Sequence, residues 1–257
     1  MTTTTSKPVV VVSGFKPFGY ESPGEKRKVN ASWTVAEHIK KNHPTDFQKV
    51  QFKAMELKVA WESTYELGKE KEVESRYVSN NKPFTEEIFS ILTTRASLIY
   101  RPDIWIAFGE DSNSSKFQIE LKADPKNFKT KEEYKKELIK KYNWSVTDAE
   151  KKAKEIAIPP NVKNKYPKKD RRKNSVELCR ELKNRLNNMG YPTKLSRNAD
   201  GYICEQMLYT LLSVRTGHKK LSFFIHVPTG NVMKVATLKS FGLEVFDYVV
   251  NTLYPKI

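Results

Sequence analysis

Pro8-Val-Val-Val-Val-Ser13 (P-V-V-V-V-S) reads as a strand with no polar side, so both of its faces must be covered. Such a strand belongs in the middle of a parallel sheet flanked by helices. The stretch Asp103–Gly109 (D-I-W-I-A-F-G) repeats the pattern and ends at a glycine, and Leu221–Val227 repeats it again before Pro228 stops the ladder. A further strand spans about Phe52–Ala60, with Met55, Leu57 and Val59 on one face. Helical spacing fills the intervals. Ser32 caps a helix to about Lys41, and Thr85-Glu-Glu-Ile starts another through about Ser97. Lys131–Lys141 and Val146–Glu155 are charged amphipathic helices; Ser175–Met189 is a helix stopped by Gly190, and a last one runs over about Leu238–Tyr254. Strands alternating with helices predict an α/β fold: a three-layer α/β/α sandwich with a mainly parallel, mixed twisted sheet.

At 257 residues the chain can bury a substantial core, and we read residues 1–257 as one domain with a basic helical insertion at about 125–155. No apolar run reaches membrane-spanning length, and the start M-T-T-T-T-S-K-P lacks a signal-peptide core, so no membrane is expected. Two cysteines are not a disulfide framework and suit a reducing cytoplasm. With four histidines, and neither H-E-x-x-H nor C-x-x-C, the sequence predicts no metal site and no cofactor.

The net charge of +16 is concentrated: Lys116–Lys173 holds 19 Lys and Arg against nine Asp and Glu. This reads as a solvated helical surface, with nucleic acid or an acidic partner as the alternative. No aromatic–basic motif supports base stacking. The loop Gly19–Lys26 (G-Y-E-S-P-G-E-K) imitates a phosphate-binding loop, but Glu25 separates the second glycine from Lys26, and Arg27 stands where Ser or Thr is required. It is rejected as a nucleotide site.

Two stretches carry chemistry. Ser196–Tyr209 (S-R-N-A-D-G-Y-I-C-E-Q-M-L-Y) puts Cys204 behind a polar turn and ahead of Met207, Leu208, Leu211 and Leu212 at helical spacing. A thiol in the first turn of a helix meets the positive dipole end and unpaired N–H groups, which favours the nucleophilic thiolate. Phe223–Pro228 (F-F-I-H-V-P) puts His226 at a strand end. On position alone, Cys204 reads equally as a small buried hydrophobe, as Cys179 does in V-E-L-C-R-E-L, and His226 as a hydrogen-bonded structural residue. A cysteine hydrolase also needs a group that orients the histidine.

Taken together, these motifs resemble pyroglutamyl-peptidase I, a family of cysteine exopeptidases that remove an N-terminal pyroglutamyl residue. Gly14–Gly19 (G-F-K-P-F-G) is similar to the family's G-F-x-P-F-G-G, and Asn30-Ala-Ser-Trp33 to its N-P-S-W. Arg101-Pro-Asp103 with the following strand, Ser196–Cys204, and F-F-I-H-V-P also match family segments in family order. The resemblance implies a triad of Glu120, Cys204 and His226. Glu120 lies eleven residues after Gly109, followed by Ala123, as the family's glutamate does. The resemblance further implies substrate contacts at Phe15, Phe18 and Asn30, and peptides with N-terminal pyroglutamate as substrates. Without it, Glu120 reads as a surface strand residue. Backbone N–H groups near the turn before Cys204 are the expected oxyanion donors.

The chain departs from the family pattern at Glu110, where the family has Gln, and at Ala157, where it has Arg. It also differs at Asp200, a family glycine, and at Glu205, a family Asn. A carboxylate at 205 opposes the thiolate unless it points away or pairs with a base. These departures leave a diverged, weakly active or inactive binding protein as the alternative function.

Overall fold

In a computed structural model the described residues are 7–18, 20–22, 25–43, 50–57, 59, 102–157, 172–173, 175–199, 201, 203–213 and 220–257. The expected helix over 85–97 lies outside them, as do Arg101 and Asp200. Ten strands are described: β1 Val9–Phe15, β2 Tyr20–Ser22, β3 Glu25–Lys26, β4 Gln51–Leu57, β5 Ile104–Asp111, β6 Phe117–Glu120, β7 Lys122–Ala123, β8 Arg172–Lys173, β9 Thr193–Ser196 and β10 Leu221–Pro228. The helices are α1 Ala31–Asn42, α2 Lys131–Tyr142, α3 Val146–Ile156, α4 Val176–Asn188, α5 Ile203–Ser213 and α6 Val235–Tyr248.

Six strands form the central sheet in the order β4-β1-β5-β10-β6-β9. The first four run parallel, β6 lies antiparallel to β10, and β9 is parallel to β6. Alternation of side chains sorts the sheet into two faces. Val10, Val12, Ile104, Ile106, Phe108, Phe223 and Ile225 pack with α1, α4 and α6. Val11, Phe15, Trp105, Ala107 and Phe224 pack on the other face with α2, α3 and α5. β1 is buried along its whole length, as an all-apolar strand between two helical layers must be. The three-layer mixed sandwich is therefore as predicted.

Several element ends differ from expectation. The cap of α1 is Asn30, whose side chain accepts from Ser32 N–H at 2.9 Å. Ser32 lies inside the helix, where its Oγ accepts from Phe15 N–H and so ties the end of β1 to α1. β5 continues two residues past Gly109; Val59 packs on the same side as Met55 and Leu57 of β4, and residues 58 and 60 of the expected strand lie outside the described residues. The last helix begins at Val235 and passes into a π-helical turn at Val249–Leu253, which keeps Val249, Val250 and Leu253 buried. β6 and β9 are only four residues each, too short for their periodicity to be read.

α2 carries a Thr130/Glu133 capping box, and Ser145 caps α3. Some of the cations here are matched by acids: Lys129 pairs with Glu137, Lys131 and Lys135 with Glu150, and Lys152 with Glu155. Their inner faces bury Tyr134, Leu138, Ala149, Ala153 and Ile156 against α5. Among the described residues, no helix is long and apolar enough to cross a membrane.

Candidate active site

Strand parity decides which side chains meet. His226 in β10 has the parity of Phe224, and so faces the α5 side of the sheet. Its cross-strand partner in β6 is Gln118, and Glu120 lies two residues further along the same face. His226 Nδ1 stands 2.8 Å from Glu120 Oε1. Glu120 is fully buried, not a surface residue, and its Oε2 has no hydrogen-bond partner among the described residues. An imidazole is the group that offsets that buried charge.

Gly109 makes room for this pair. It lies beside His226 in the β5–β10 register, and a Cβ there would stand 2.7 Å from the Phe224 ring and 2.9 Å from the His226 ring. Gly109→Ala is expected to shift the imidazole and to cost about 1–3 kcal/mol of stability by overpacking. Urea unfolding of the purified variant checks this; an unchanged midpoint would show that the rings give way freely.

Cys204 is the second residue of α5, nearly buried, and approaches the same face of the sheet. Burial alone would lower the pKa of His226. The negative charge and hydrogen bonding of Cys204, and those of Glu120, outweigh it and hold the imidazole well above its ordinary value. The arrangement thus favours the protonated form of His226. Cys179 is fully buried on the opposite face of the sheet.

A cleft opens over Cys204, lined by Phe15, Phe18, Arg27, Asn30, Glu110 and Ile203 among others. The three residues expected to touch substrate are all at its wall. Asn30 has structural work as well: its Oδ1 accepts from Ser32, and its Nδ2 donates to Lys16 O at 3.2 Å. Glu110 is held by Arg27 and by the N–H of Ala31 at the start of α1, 2.6 Å away. Phe18 packs on Trp144, with ring centroids 5.6 Å apart, and Lys152 lies over its other neighbourhood at 5.6 Å from the ring centre.

Arg27 at the cleft wall, and Trp144 behind Phe18, carry no signal in the sequence that marks them for the site. Arg27 is 83 positions from Glu110, and no spacing rule connects them. Ala157, at the family's arginine position, is the buried C-cap of α3 and carries no charge into the cleft.

Glu205 turns away from the thiol. Its Oε1 accepts from Asp124 N–H at 2.8 Å and Asn127 Nδ2 at 3.3 Å. Its Oε2 accepts from Ala199 N–H at 3.1 Å and Gly201 N–H at 3.4 Å. Burial pushes its carboxyl above the usual range, and the four donors oppose that rise. Two N–H groups of the turn before Cys204 are therefore already engaged. Glu205→Ala would leave buried donors unpaired, with an expected loss of about 2–4 kcal/mol of stability. A chemical-denaturation midpoint equal to that of the wild type would refute the anchoring role.

The fold and site together define a class: a mixed α/β sandwich that brings a thiol, an imidazole and a carboxylate to one end of its sheet. The fold is that of the pyrrolidone carboxyl peptidases. A variant of the Pyrococcus furiosus enzyme superposes with a TM-score of 0.61 at 18% identity, covering 95% of this chain and 99% of that one. The Thermococcus litoralis enzyme gives 0.58 at 20% identity, covering 95% of each chain. The enzyme from the keratin-degrading bacterium Fervidobacterium islandicum AW-1 gives 0.57 at 19%, covering 97% of this chain and 99% of its own. No protein-family profile matches the sequence, and neither does any curated protein.

Proposed function

We propose that the protein is a cysteine exopeptidase that hydrolyses the amide bond after an N-terminal pyroglutamyl residue. The observation that carries this reading is the placement of His226 between Glu120 and Cys204 beneath a cleft walled by Phe15 and Phe18. The names of the structural neighbours support the substrate class, since pyrrolidone carboxylic acid is the free form of the pyroglutamyl ring.

Cys204 thiolate attacks the pyroglutamyl carbonyl carbon, and the developing oxyanion is met by first-turn N–H groups of α5, which by their position lack intrahelical acceptors. The C–N bond breaks as the His226 imidazolium passes its proton to the departing peptide amine. A water then attacks the thioester and gives its proton to His226. The C–S bond breaks, releasing pyroglutamic acid and restoring the thiolate–imidazolium pair. Glu120 fixes the tautomer and orientation of His226 throughout. The ring, small and uncharged, would meet Phe15 and Phe18 at the cleft wall. Arg27 and Glu110 neutralise one another at the wall, so the cleft presents a paired rather than a bare charge.

Lys129, Lys131, Lys135 and Lys152 are paired with acids of the same segment and so are not bare charges for an acidic partner. Fluorophore release from a pyroglutamyl amide under reducing conditions tests the proposal. Turnover supports it; a folded protein with no turnover would refute it.

A further inference from the structure

The turn before Cys204 is held from outside itself, by residues 124–156. Gly201, three residues before the cysteine, has φ of 64° and packs so tightly that a Cβ would stand 1.9 Å from Asn127 O. Its carbonyl accepts from Tyr134 Oη at 3.1 Å and from Lys129 N–H at 3.3 Å. Tyr134, in α2, is fully buried. Gln206, two residues after the cysteine, donates through Nε2 to Tyr134 Oη at 3.2 Å and to Ile156 O, the end of α3, at 3.4 Å. Glu205 completes the connection by accepting from Asp124 and Asn127. Both sides of Cys204 are thus bonded to residues 124–156.

We infer that Tyr134 is a positioning residue for the nucleophile, and that its hydroxyl, with the polar groups of residues 124–129, acts as a clamp setting the turn that presents Cys204. The inference rests on Cys204 being the reactive thiol. Burial keeps the phenol in its protonated form, so its O–H is available to Gly201 at all working pH values. Glu205 and the 124–129 segment are on this reading two halves of one device. The carboxylate at 205 has its donors because the 124–127 turn supplies them. A shift of the turn of even about 1 Å would misplace the thiolate relative to His226 and to the incoming carbonyl, which is enough to cost about tenfold or more in rate.

Full-length wild type, Tyr134→Phe and Leu138→Ala separate positioning from mere packing. Leu138 is a fully buried neighbour in α2, so its truncation loosens the helix while leaving the phenol in place. Two readouts are needed: the rate of Cys204 alkylation by iodoacetamide across pH, located by peptide mass spectrometry, and kcat with KM on a pyroglutamyl amide. Tyr134→Phe is expected to slow alkylation several-fold and lower kcat about tenfold with KM little changed. Leu138→Ala is expected to lower the melting temperature with near wild-type rates per folded molecule. Wild-type alkylation and kcat in folded Tyr134→Phe would overturn the inference. Equal rate losses in Leu138→Ala would do the same. If the wild type proves inactive on pyroglutamyl amides, the proposed substrate fails, but the alkylation profiles still decide the clamp.

Discussion

Cys204→Ala is expected to abolish release of the fluorophore from a pyroglutamyl amide, with a loss of about 10⁴-fold or more. The proposed route is covalent, and without a thiol no acyl-enzyme forms; in comparable triads loss of the nucleophile removes nearly all catalysis. The exchange deletes one sulfur from a nearly buried position, so the fold should survive at a cost of about 1 kcal/mol. It also has a second consequence. Cys204 is one of the groups holding His226 above its ordinary value, so the imidazole of Cys204→Ala should titrate at lower pH, measurable by NMR. Retained turnover would remove Cys204 from the mechanism. An unmoved His226 titration would remove the ion pair.

Glu120→Gln should carry the next largest effect, a fall in kcat on the order of 10²-fold. The amide keeps the size of the side chain but surrenders its charge, and its NH₂ group can face Nδ1 and spoil the required tautomer. The pH profile gives the more telling result. In the wild type, His226 must carry a proton for the departing amine, and that proton is held well above the ordinary imidazole range. Activity is therefore lost on the alkaline side only as pH rises through that elevated value. Removing the Glu120 carboxylate removes one of the interactions favouring imidazolium, so the alkaline limb moves to lower pH. A limb that stays in place in Glu120→Gln would mean that the carboxylate only supports packing.

The two residues carrying these predictions were not equally visible in the sequence. Cys204 could be placed because its surroundings are local: a polar turn on one side, an apolar helical stripe on the other. His226 could be placed because an apolar strand and a proline bracket it. Glu120 was legible only through resemblance, since F-Q-I-E is too short a strand to announce its face. As a surface residue it would have been one acid among thirty. In the structure it is fully buried and 106 positions from its partner. Asn30 was singled out for substrate, and the structure adds a cap and a tie to Lys16 O.

Glu205 shows how misleading adjacency is. Next to Cys204 in the chain, it suggested repulsion of the thiolate. On a helix, neighbouring side chains point about a hundred degrees apart, and here the carboxylate meets four donors from the turn and from residues 124–127. Arg27 and Glu110 meet across the cleft in a similar way, though the chain gives no hint of it.

The sequence by itself determined the apolar strands, most of the described helices, and the element ends that hold Cys204 and His226. Periodicity and capping act over a few residues and survive in any arrangement of the whole. The tertiary structure decided the strand order, the reversed direction of β6 that carries Glu120 to His226, and the seating of residues 124–156 on the Cys204 turn. Those choices join groups 50 to 106 positions apart, and only the packing of all layers at once determines which polar side chains find each other in the interior.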